Sequence, residues 1–191
     1  TFPSTLIFGV QTAEKMRIDS SGKVGIGIAS PANKLHLNES TSGSNYIHFT
    51  NSGTGTSASD GSQVGLDGNE NLVLWQAENL PMRFATNNSE RLRIDSSGRL
   101  LLGTTTEGQA NADNLTIDGG DAETGITIRS GTSRGNHIYF SDGTSGDDEY
   151  RGIISYQHSD NKMQFFTDAS ERLRIASNGN VGIGCTNPGQ R

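Results

Sequence analysis

The chain has little of what most proteins use to hold themselves together. Among its 191 residues there is one cysteine, Cys185, so an intramolecular disulfide framework is excluded. Hydrophobic residues are 31% of the chain and aromatics 6%, too few for one copy to offset its ordering entropy comfortably. Association with further copies is the usual remedy. No run of 18 apolar residues occurs, so no membrane insertion is expected. No signal peptide stands at the start, and the chain opens on Thr1, as a fragment or a processed product would. The net charge is -6 with no Lys/Arg cluster, which argues against a nucleic-acid partner. Low hydrophobicity suits disorder only when net charge is high, and here the apolar residues sit in short patterned runs. An ordered all-β protein short of core is the expectation.

What is abundant is glycine, 25 residues, and repetition. The phrase EKMRIDSSGKVGIG at 14–27 returns as ERLRIDSSGRLLLG at 90–103 and ERLRIASNGNVGIG at 171–184. In the middle copy Leu92 and Ile94 alternate with Arg91, Arg93 and Asp95, the period of a strand with one apolar face. Asp95 and the serines start a turn, Gly98 supplies a positive φ, and Leu100 and Leu102 resume the apolar face. Each copy is therefore a β-hairpin. The repeat positions are Glu14, Arg17, Ile18, Gly22 and Gly27; Glu90, Arg93, Ile94, Gly98 and Gly103; Glu171, Arg174, Ile175, Gly179 and Gly184. Strand alternation puts the Glu and Arg of each copy on opposite faces, so the expected partner of each is a neighbouring chain or solvent. Gly25/Gly27 and Gly182/Gly184 make one face flat, open to another strand or chain, while Leu101 replaces the first glycine in the middle copy.

Upstream of the hairpins, LIFGVQTAE, MRFATNNSE and MQFFTDASE each read as an apolar strand and a polar turn. NYIHFTNSGTG and NHIYFSDGTSG match as a strand and glycine-rich loop, and KLHL and NLTI as a strand after a hairpin. The expected organisation is the end of a first repeat at 1–27, full repeats at 28–104 and 105–185, and the start of a further segment at 186–191. No helical periodicity stands out, and Pro81 makes residues 75–82 a strand-to-loop passage.

No catalytic, cofactor or metal constellation emerges. GIGIAS at 25–30 lacks the third glycine and the helix of a dinucleotide site. Asp67, Asn69 and Asn71 have calcium-loop spacing without the distal glutamate. The Asp147–Glu149 run reads as a solvated turn, and His36, His48, His137 and His158 are scattered. Trp75, the lone tryptophan, is the candidate ligand contact.

The ordered phrases ERLRIDSSG, VGIG with a following SP or NP, GITIRSGTS, IYFSDGTSGDDEYRG and ISYQHSDNKMQFFTDASERLRI resemble the repeat modules of bacteriophage tail fibres, notably of marine and cyanobacterial phages. Similar repeats precede peptidase S74 chaperone domains. The resemblance implies an elongated homotrimeric β-rich fibre of hairpin modules about 80 residues long, given repeat starts at 14, 90 and 171. It implies a non-enzymatic virion protein, assembled in the host cytoplasm, that joins other tail proteins and supports host attachment. A fibre tip that binds a host glycan or protein, and a bacterial surface adhesin with the same repeats, are the alternatives.

Overall fold

The computed structural model describes residues 4–189; the outermost residues of the expected 1–27 and 186–191 segments lie outside it. The fold is all-β. Sixteen strands form four sheets, and the only helical element is a short 3₁₀ turn at Gly146–Tyr150, among the described residues. The chain divides between Thr124 and Gly125 into two compact units.

The first unit holds three sheets. One is β1 (Leu6–Val10), β2 (Ala13–Ile18), β3 (Val24–Ile26) and β4 (Leu35–Leu37), in that order. The second is β5 (Asn45–Phe49), β6 (Ser62–Leu66) and β7 (Leu72–Gln76). The third is β8 (Met82–Thr86), β9 (Ser89–Ile94), β10 (Leu100–Leu102) and β11 (Leu115–Ile117). The second unit is one five-stranded sheet of β12 (Gly135–Phe140), β13 (Gly152–Gln157), β14 (Lys162–Thr167), β15 (Ser170–Ile175) and β16 (Val181–Ile183).

The three repeated phrases are hairpins, β2–β3, β9–β10 and β15–β16. The turn chemistry is the one their residues dictate. The Asp95 carboxylate accepts the Ser97 and Arg99 amides at 2.9 and 3.0 Å, and the Gly98 amide bonds the Asp95 carbonyl with φ at 82°. Those amides hold the Asp95 carboxyl below its usual range. The strand before each hairpin joins it through a two-residue turn. At Asn87-Asn88 and Asp168-Ala169 both residues have positive φ, the type I′ geometry that matches strand twist.

The strands after the first two hairpins pair in parallel, β4 along β3 and β11 along β10. A parallel partner requires the chain to cross the sheet. The crossing takes eight residues, 27–34, in one sheet and twelve, 103–114, in the other.

Each hairpin carries a β-bulge. Phe84 opposes Leu92 and Ala85 opposes Glu90, which leaves Arg91 unopposed; Lys15 and Arg172 are the equivalents. The Gly27, Gly103 and Gly184 amides bond the carbonyls of these three residues at 2.9–3.0 Å.

Candidate functional site

The register places side chains in rows, because residues directly opposite share a face. In the first sheet the rows are Leu6–Ile18–Val24–Leu35 and Phe8–Met16–Ile26–Leu37. In the β8–β11 sheet they are Met82–Ile94–Leu100–Leu115 and Phe84–Leu92–Leu102–Ile117. In the second unit they are Ile138–Ile154–Phe165–Leu173–Ile183 and Asn136–Tyr156–Met163–Ile175–Val181. Except for Asn136, every residue in these six rows is apolar or aromatic. None is buried. Ile18, Ile94 and Ile175 stand in the middle of them.

The opposite faces are covered, and by the chain itself. Arg17–Gly25–His36, Arg93–Leu101–Thr116 and Gln164–Arg174–Gly182 are rows there. Leu101, 1% exposed, is the one fully buried apolar side chain among the described residues. A Cβ added to Gly25 would meet the Ile28 carbonyl oxygen at 2.6 Å, and one on Gly182 the Cys185 carbonyl oxygen at 2.6 Å. The flat glycine face thus receives the chain's own following segment, a crossing over Gly25 and the residues after β16 over Gly182, where the sequence suggested another strand or chain. Side chains pin these crossings. Lys34 Nζ donates to the Ser21 carbonyl at 3.0 Å, Arg99 pairs with Asp113 at 2.9 Å, and Asn180 donates to the Pro188 carbonyl at 3.0 Å.

The repeated Glu and Arg also lie on the covered face, and each pair closes within its own strand. Arg17 Nε meets Glu14 Oε1 at 2.5 Å, Arg93 Nη2 meets Glu90 Oε2 at 2.9 Å, and Arg174 Nη2 meets Glu171 Oε2 at 2.6 Å. This corrects the expectation of opposite faces and of a neighbouring chain as partner. The bulge residue between them shifts the alternation by one, so residues three apart come to the same side. The guanidinium holds each glutamate below its usual range, and the carboxylates raise the arginines. The pairs have neighbours that differ: Arg83 approaches Glu90 at 3.7 Å, while Gln164 donates to Glu171.

The total exposed surface is 13,995 Å². A compact monomer of this mass exposes about 8,800 Å², and even two separate globules the size of the two units about 10,500 Å².

Trp75 lies on β7 beside Gln63, 60% exposed. With Phe49, Leu74, Pro81, Met82 and Phe84 it lines a groove of about 320 Å³ between the β5–β7 sheet and β8. The Asp67 carboxylate is taken by the Asn69 and Asn71 amides and the Asn71 side chain. Arg151 draws Asp142, Asp148 and Asp168 around itself, so the acidic turn is neutralised in part rather than simply solvated. Among the described residues no three His, Cys, Asp or Glu side chains converge as a metal site. No family model matches the chain, and no curated protein matches it.

Proposed function

We propose that this chain is a non-enzymatic structural component of a fibre, assembled as a homotrimer through the open apolar faces of its sheets. The observation that carries the reading is the inversion of each hairpin sheet. The charged face is closed by the chain's own following segment, and the apolar face is left largely open. A face of eight adjacent apolar side chains is a protein-contact surface, because contiguous exposed apolar patches are rare on monomers. Three comes from the resemblance of the repeats to phage tail-fibre modules. The biological setting comes from there too: a fibre of a virion, built in the host cytoplasm, that carries or contributes to attachment. Electron microscopy of the purified chain tests this directly. Rods of uniform width support it, and isolated round particles contradict it.

A receptor-binding role for the same fibre is favoured by one feature, the exposed Trp75 that lines the groove. An indole beside an amide side chain suits stacking on a sugar ring. Binding to a glycan array that disappears in Trp75→Ala supports this role, and an array that stays blank removes it.

A further inference from the structure

The second unit begins with a strand that has no sheet. Residues 125–130, Gly-Ile-Thr-Ile-Arg-Ser, run without a turn or bend. Among the described residues none of their backbone groups bonds another backbone group; the Ile128 carbonyl accepts the Asn136 side-chain amide at 2.6 Å. Ile126-Thr127-Ile128 repeats the pattern of Leu115-Thr116-Ile117, which is β11 and is paired along β10. The same pattern is thus a paired strand in the first unit and is unpaired in the second. Ile126 is 70% exposed and Ile128 46%. The segment also has no counterpart in the preceding repeat. Seven residues, 38–44, link β4 to β5, whereas seventeen, 118–134, link β11 to β12.

The same unit carries an edge that has no strand. β12 is an outer strand, paired on one side with β13 and open on the other. We propose that residues 125–130 of one copy add as a strand to the open edge of β12 in a neighbouring copy. This inference rests on the assembly reading above and names one of its contacts. Within a single chain the loop Gly131–Arg134 is short enough for a hairpin with β12, yet the segment's one hydrogen bond to β12 comes from the Asn136 side chain. Its isoleucines instead line a cavity of about 230 Å³ with Ile138, Ile154, Tyr156 and Met163. Most of that lining belongs to the open apolar face a neighbour would cover. A parallel approach, the sense in which β11 joins β10, sets Arg129 beside the acidic turn that follows β12. Arg129 has no carboxylate partner in its own chain among the described residues. A donor strand and a different acceptor edge on one chain make a head-to-tail contact, and such contacts are satisfied in every copy when the ring closes.

Two measurements on the full chain test this. In a Cys185→Ser background, chains carrying Thr127→Cys and chains carrying Tyr139→Cys are co-assembled and treated with a short bismaleimide. Each chain has one thiol, so a covalent 127–139 dimer on a denaturing gel arises only between copies and is the expected result; its absence overturns the proposal. Hydrogen exchange on the unsubstituted protein is independent of any variant. The 126–130 amides are expected to exchange about a hundredfold more slowly in the assembled particle than in dissociated chains. A trimer in which these amides exchange freely overturns the added strand and leaves the assembly standing, whereas a protein that is monomeric at every concentration overturns both.

Discussion

The β1–β4 and β8–β11 sheets are built on one plan and differ at one buried position. Both show two rows of four apolar residues to the outside. Both place a Glu–Arg pair on the inside. At the centre of the inside face, however, one has Gly25 and the other Leu101. The length of the crossing accounts for the exchange. Eight residues pass so close over Gly25 that Pro31 is buried against it and no side chain fits. Twelve residues can arch over a leucine and bury it. The inside face therefore adapts to its own loop, while the outside face stays apolar throughout. A surface that holds its pattern while its backing changes is what the proposed association with further copies requires.

The comparison breaks most visibly on the outside. Ile18→Asp and Ile94→Asp occupy equivalent places in the two sheets, and each is expected to abolish assembly, read as a fall in native mass to one chain. An assembled particle formed by either variant would remove that sheet from the interface. On the inside the two sheets should diverge. Leu101→Ala is expected to cost about 3 kcal/mol in chemical denaturation, the range for emptying a leucine-sized site. Gly25→Ala forces a methyl against a backbone carbonyl and is expected to cost about 2 kcal/mol. If Gly25→Ala is neutral, the close crossing is not what selects glycine there.

Smaller effects separate the turns and the ion pairs. Ala169 holds a left-handed backbone at φ 53°, where Asn88 stands in the β8–β9 hairpin. Ala169→Gly is expected to stabilise the protein by about 1 kcal/mol, seen as a higher melting temperature. The smallest effect is that of Glu90→Gln. The folded-state carboxyl lies below its ordinary value, so its contribution is present above the unfolded value and is lost as the pH falls through the folded one. Melting curves should show Glu90→Gln weaker than the parent at neutral pH and approaching it in acid. A difference that persists unchanged at low pH would mean that the loss is one of packing.

Much of this was legible in the residues. The alternation of Leu92, Ile94, Leu100 and Leu102, the Asp95-to-Gly98 turn and the strands before each hairpin all stand where the pattern puts them. The bulge was legible too, by counting outward from Asn87-Asn88. A regular register sets Phe84 against Arg91; one extra residue sets it against Leu92, and Phe8 and Phe165 give the same count. Assuming unbroken alternation misplaces the Glu–Arg pairs for that reason. The parallel strands could not be read this way. KLHL and NLTI announce apolar strands, but the direction of pairing depends on the path of the crossing, which is set by Gly25, Pro31 and the Arg99–Asp113 contact in three dimensions. Which face is covered follows from that path, so the inversion of charged inside and apolar outside needed the structure.

The central claim is that one chain leaves its apolar faces open and that further copies close them. Light scattering on the protein as it elutes from a sizing column measures this most directly. The account predicts a species with the mass of three 20.3-kDa chains that does not dissociate on moderate dilution. A monodisperse single chain that melts in one cooperative transition would contradict it.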